Sequence, residues 1–171
     1  MIDMKLEPTA PFASFEEATV YLEGMCRRMG VRHLSYWCVS LDNGSPDQVT
    51  WISTYDPAYM TQYMHNMTPL GDPAFEMESP LIDWADVISD GESMRTMQLT
   101  AAKYGITKYG LSYPMADGDT RRIMFSVNVN CRDADWESEK SRLADPLRLL
   151  AQYFHCRAKP LVESRRPRVA A

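Results

Sequence analysis

Tyr55, Tyr59 and Tyr63 recur every four residues, a spacing that sets three phenols on one face of a helix. Asp72 follows Pro69 and Gly71 and immediately precedes Pro73. A phenol offers a broad apolar ring and a directed hydroxyl, and a carboxylate accepts hydrogen bonds from N–H groups. With Trp84 in "PLIDWADV", these residue types suit a small-molecule pocket, mostly apolar with a few placed polar groups. They equally suit a core whose hydroxyls reach the surface, with Asp72 capping a helix ahead of Pro73. Spacing alone leaves both readings open.

Other chemistries find no comparable footing. The eight glycines are scattered and form neither a dinucleotide nor a phosphate loop, and no G-x-S-x-G elbow occurs. His33, His65 and His155 share no ligand spacing with one another, so no metal site is expected. Cys26, Cys38, Cys131 and Cys156 lie far apart and read as reduced, buried thiols. Asp83 and Asp86, like Asp117 and Asp119, read as caps and turn residues. Catalysis has no positive support, and an enzyme is not expected.

The elements that must position these residues are legible as local patterns. Ser14-Phe-Glu-Glu17 is a capping box, predicting a helix to about Met29 with Gly30 as its stop. "RHLSYWCVSL" and "QVTWIST" are strands across the turn chemistry of "DNGSPD". A short helix is predicted over 57–67, then a proline-broken irregular stretch "PAFEMESPLIDWADV". A longer helix, from about 92 to 104, carries Met94, Met97, Ala101 and Tyr104 on one stripe and closes at Gly105. "TKYGLSYPM" and "RRIMFSVNVN" form a second hairpin across "ADGDT". Asp135 can cap a last helix with the stripe Leu143, Leu147, Leu150 and Phe154, in which Pro146 is expected to force a kink or a late start. Hairpins with helices between them predict an α+β fold with an antiparallel sheet in one domain.

At 171 residues the chain can bury a substantial core but is short for two domains. No apolar run nears the roughly 20 residues of a membrane span, and "MIDMKLEPTAPF" lacks the pattern of a secretory signal; a cytoplasmic location is the expectation. The net charge is −5. Residues 157–171 hold five basic side chains against one acidic, a net of +4 that leaves −9 on the remainder. An acidic body is a poor nucleic-acid surface, and the tail reads as a solvated end or linker.

"TYDPAYMTQY" followed by "GDP", then the "DW" of Trp84, "YGLSYPM" at 109–115 and the "MFSVNV" strand keep an order and spacing that resembles the autoinducer-binding domain of the LuxR family of quorum-sensing transcription regulators. The resemblance covers about residues 12–158, without a gap from Pro114 to Ser126. It implies an α/β/α sandwich with the ligand, an acyl-homoserine lactone or related small signal, between sheet and helices. By the same resemblance Asp72 would accept from the signal's amide N–H and Tyr55 would donate to the acyl carbonyl. Tyr63 would wall the chain, Trp84 would pack on the lactone ring, and Ser126 would add a polar contact, with Ser112 nearby. Pro73 and Gly110 match positions that shape the backbone. No cofactor is implied, and a homodimer is.

The chain departs from that family pattern in three ways. Tyr59 stands where the family has a tryptophan that donates to the lactone carbonyl. Trp37, which shares a strand face with Ser35 and Val39, occupies volume that small residues leave open in members taking long acyl chains. It either fills core or marks a signal that is short, branched, aromatic or not a homoserine lactone. Third, the family's C-terminal helix-turn-helix, the expected route to DNA, is missing from a chain that ends in the basic tail. Residues 1–158 are thus expected to be the sensor domain and 159–171 a tail or the start of a linker, from an excised domain. The alternative is a stand-alone domain that inhibits a full-length regulator by heterodimerisation.

Overall fold

The computed structural model describes residues 10–43, 45–66, 79–88 and 92–165. Helix α1 (Phe15–Met29) begins at Ser14, whose Oγ accepts from the Glu17 amide at 3.0 Å, while Glu17 accepts from the Ala13 amide at 2.6 Å. It ends at Gly30, which takes the left-handed conformation (φ 64°) so that the Val31 amide reaches back to the Cys26 carbonyl. Strands β1 (His33–Asp42) and β2 (Ser45–Ser53) form an antiparallel hairpin. Asn43, at φ 50°, takes the positive dihedral that a tight two-residue turn requires. The returning strand starts at Ser45, ahead of the expected Gln48, because Asp42 pairs with Ser45 and a register shift absorbs the offset between Ser40 and Leu41.

Helix α2 (Pro57–Asn66) follows, with Pro57 at its first position and Asp56 accepting from the Ala58 amide at 2.7 Å. The stretch expected to be irregular holds, in its described part, a short strand β3 (Ile82–Asp83) and helix α3 (Trp84–Ile88), which Asp83 caps at the Ala85 amide. Helix α4 (Glu92–Lys103) leads to strands β4 (Gly110–Asp117) and β5 (Arg121–Asn128). A 3-10 turn (Asp133–Asp135) opens α5 (Trp136–Ser164).

The strands form one antiparallel sheet in the order β2-β1-β5-β4-β3. On one face Leu34, Tyr36, Cys38, Leu111, Ile123, Phe125 and Val127 pack against α1 and α5 in the main core. On the other, Trp37, Met124 and Ile82 meet side chains from α2, α3 and α4. The architecture is an α+β sandwich of helix, sheet and helix layers, with strand alternation sending each strand's residues to both cores.

Two expectations give way, and one of two alternatives falls. Asp135 makes no cap hydrogen bond; its carboxylate pairs with Arg132 at 2.7 Å instead. Of the two outcomes weighed for Pro146, the late start is the one that fails: α5 is continuous through Pro146 and Pro160. An interior proline costs about 3 kcal/mol, but Leu143, Leu147, Leu150 and Phe154 are all fully buried, and each such side chain returns roughly 1.5–3 kcal/mol. Finally, only Cys26 and Cys38 are buried; Cys131 is half-buried and Cys156 exposed, all as free thiols. Past residue 158, α5 still packs: Val162 is buried and Lys159 pairs with Asp117 at 3.0 Å.

Candidate functional site

Cross-strand register arranges the face toward α2–α4 in rows. His33, Asn128 and Gly110 align across β1, β5 and β4. The next row is Ser53, Ser35, Ser126 and Ser112, ending at Ile82. Beyond it lie Trp51, Trp37, Met124 and Pro114. Four serines thus cross four strands side by side, three of them (Ser35, Ser112 and Ser126) buried.

Above this face stands α2, whose four-residue spacing presents Tyr55 at its entry and Tyr59 and Tyr63 along it. Tyr55 and Tyr59 are buried. Their rings form a chain: His33 to Tyr55 at 4.9 Å, Tyr55 to Tyr59 at 5.5 Å and Tyr59 to Tyr63 at 6.2 Å. Tyr63 meets Trp37 at 5.3 Å, and Trp37 meets Trp51 at 5.9 Å. Tyr104, from the end of α4, closes on Tyr59 at 5.6 Å. These centroid separations are those of interacting rings, so the wall is a packed aromatic cluster that joins α2 and α4 to the sheet.

Trp84 covers the far side. Its Nε1–H donates to Ser112 Oγ at 2.8 Å, and Ser112 Oγ lies 2.7 Å from Ser126 Oγ. An indole N–H only donates, so Ser112 can pass its own hydrogen to Ser126 and leave Ser126 able to donate onward. The indole lies so close to Gly110 that a Cβ there would come within 2.8 Å of Trp84 Cε2 and nearer still to two other ring atoms. That close approach is why position 110 carries glycine. The neighbouring Asp83 points to the opposite layer, where it accepts from Trp136 Nε1 at 3.1 Å and Lys140 at 2.9 Å, and so anchors α5.

The sequence-predicted residues fall into two joined groups: Tyr55, Tyr59, Tyr63 and Trp37 in the aromatic cluster, and Trp84, Ser112 and Ser126 in a hydrogen-bonded line. Asp72 and Pro73 lie outside the described residues. Sequence reasoning missed His33 and Tyr104. Tyr104 was on the predicted α4 stripe without being linked to the phenols. His33 precedes Ser35 by two and shares its face, but a lone histidine gave no further signal.

His33 is unusual among the polar groups here. Its Nδ1 faces the Thr54 carbonyl at 3.2 Å, while Nε2 is sealed from solvent and finds no hydrogen-bond partner among the described residues. Burial holds its pKa below the usual imidazole value, partly offset by the Thr54 carbonyl. Among the described residues no group of three or more His, Cys, Asp and Glu could hold a metal, and no helix is long and apolar enough to cross a membrane.

Residues 14–158 match the family described as the autoinducer binding domain. No curated protein matches the sequence. Among solved structures, the fold is similar to that of the N-acylhomoserine lactone dependent LuxR family transcription factor CepR2 from Burkholderia cenocepacia, with TM-score 0.70 and 20% identity over 91% of this chain and 89% of that one. SdiA of Escherichia coli is similar at TM-score 0.65 and 15% identity, over 89% of this chain and 63% of SdiA. A complex of SdiA with octanoyl-rac-glycerol gives TM-score 0.61 at 14% identity, over 88% of this chain and 62% of that chain. At these identities the likeness is one of fold.

Proposed function

The chain belongs to the autoinducer binding domain family, and on that premise we propose that it senses a compact acyl-homoserine lactone or related small signal, buried between the sheet and α2–α4. Domains of this family are sensors, not enzymes. The observation that carries the reading is the line from Trp84 through Ser112 to Ser126, set beside the aromatic cluster: placed donors within a largely apolar surround.

In this reading Trp84 packs on the signal's ring and Ser126 donates to a carbonyl near its amide. Asp72 accepts from the amide N–H, and Tyr55 donates to the acyl carbonyl. Tyr59 replaces an indole donor with a phenol of different reach. Trp37, engaged with both Tyr63 and Trp51, takes up space along the sheet and favours a short, branched or aromatic acyl group. The SdiA complex with octanoyl-rac-glycerol supports keeping non-lactone signals in view. Binding stabilises the folded, dimer-competent state, and DNA contact is made by a helix-turn-helix outside these residues.

A buried ligand present at a thousandfold excess over Kd stabilises the native state by on the order of 4 kcal/mol. Thermal melts with a panel of N-acyl- and N-aroyl-homoserine lactones are therefore expected to show a rise in Tm with at least one member. No rise with any of them overturns the lactone assignment, and the mass of a copurifying small molecule then identifies the class. Asp72→Asn is expected to abolish the rise while leaving the unliganded melt in place, since an amide also donates where a carboxylate only accepts.

A further inference from the structure

We infer that His33 is a specificity determinant of this site, with Nε2 accepting a hydrogen bond from a donor that the signal carries besides its amide: a hydroxyl on a short acyl or aryl group. The inference rests on the pocket proposed above. Nδ1 faces the Thr54 carbonyl at 3.2 Å and the Thr54 hydroxyl at 3.4 Å. The nearer carbonyl can only accept and the hydroxyl has the Leu34 carbonyl to donate to at 3.4 Å, so Nδ1 carries the imidazole hydrogen. Burial keeps the ring neutral, and Nε2 is left with a bare lone pair. That lone pair is sealed from water and meets no donor among the described residues, and a buried acceptor without a donor is costly. Tyr55, which the ring touches at 4.9 Å, would stack as well on a phenyl ring.

Placement on the sheet says where the imidazole stands relative to the proposed pocket. His33 shares the face of Ser35 and Trp37, and it pairs across the strands with Asn128. It therefore stands on one side of the serine row, and Trp37 with its ring partners stands on the other. A signal lying along that row would have rings on one flank and the His33 imidazole on the other. Asn128 does not compete for the lone pair, because its own amide is spent on Thr107 and Tyr109. Ser35, two residues on, adds a buried hydroxyl to the same strip.

The test compares melts and affinities for unsubstituted and hydroxylated N-acyl- and N-aroyl-homoserine lactones of matched length. Wild-type protein is expected to bind the better hydroxylated member about tenfold more tightly than its unsubstituted partner. His33→Asn keeps an amide donor near the Thr54 carbonyl but removes Nε2, and is expected to lose the preference. His33→Gln places a carbonyl near the Nε2 position and is expected to retain part of it. A preference that survives in His33→Asn, or is lost only in His33→Gln, overturns the assignment, since either outcome makes the Thr54 contact the operative one. Should His33→Asn not fold, nitrogen NMR of the wild-type imidazole reads the same question: Nε2 must move with the hydroxylated ligand and not with the bare one. Equal binding of both ligand types by wild type sinks the His33 role alone. Absence of all binding sinks the pocket reading, and this one with it.

Discussion

The two faces of the sheet are built from the same strands by alternation, yet they differ in kind. Toward α1 and α5 the side chains are apolar and fully enclosed, from Leu34 and Phe125 to the α5 stripe. The hydroxyl of fully buried Tyr36 is matched there: it lies 2.9 Å from His155 Nδ1, and His155 Nε2 is 3.6 Å from Asp117, itself held by Arg121 and Lys159. Toward α2–α4 the rings carry hydroxyls, four serines cross the sheet in register, and an imidazole nitrogen has no partner among the described residues. A face selected for stability alone gains little from buried hydroxyls, which need partners to offset their desolvation. The contrast separates a surface that holds the fold from the one proposed to receive the signal's polar groups.

Leu147→Ala, on the core face, tests that separation with the largest expected effect, a loss of about 2–5 kcal/mol in chemical denaturation. Tyr59→Phe, on the other face, is expected to change the unliganded protein far less; equal losses would erase the distinction. Gly110→Ala comes next. Its methyl group displaces Trp84, with about 1–3 kcal/mol of overpacking cost and a disproportionate loss of signal binding as the Trp84–Ser112 bond breaks. Isothermal titration beside a melt reads both quantities. Ser126→Ala is smaller, removing one neutral donor worth about 0.5–1.5 kcal/mol, seen as a several-fold weaker signal affinity with a nearly unchanged fold.

The mildest probe is pH, and it reaches both faces. Burial depresses the pKa of His33 and of His155, with the Asp117 carboxylate opposing the shift at His155 and Lys159 and Arg121 reinforcing it. The unfolded chain, with histidines near 6.5, therefore takes up protons before the folded one. Stability from these groups is complete above about pH 6.5 and declines as pH falls below it. Melts between pH 7 and 5 are expected to show that decline in wild type. His155→Gln removes the core-face share. Bound signal that engages Nε2 of His33 is expected to deepen the remaining dependence, because protonation would cost that bond as well.

Much of the fold was legible because its signals are local. The Ser14 cap, the Gly30 stop, both hairpins and the phenol-bearing helix depend on side chains within a few residues of the backbone they organise. The late start weighed for Pro146 fails for the complementary reason: local chemistry allows it, and the burial of Leu143, Leu147 and Phe154 against the sheet carries the helix through. Asp135 misled likewise, since Arg132 outcompetes the amides it was expected to cap. At the site, the phenols, Trp37 and Trp84 were readable as types and spacings. Their grouping was not, because nothing near Ser112 in the chain announces that Ser126 and Trp84 will share its hydroxyl.

The amino-acid sequence by itself determined the elements, the alternation that assigns each strand residue to a face, and the motif order that marks the autoinducer binding domain family. Tertiary structure decided which residues on a face become neighbours. Register across β2, β1, β5 and β4 made one row of Ser53, Ser35, Ser126 and Ser112, brought Trp84 against Gly110 and left Nε2 of His33 without a partner among the described residues. A one-residue slip in any pairing would send those side chains to the other face. Register is set by the sum of many distant contacts, and a local pattern does not contain that sum.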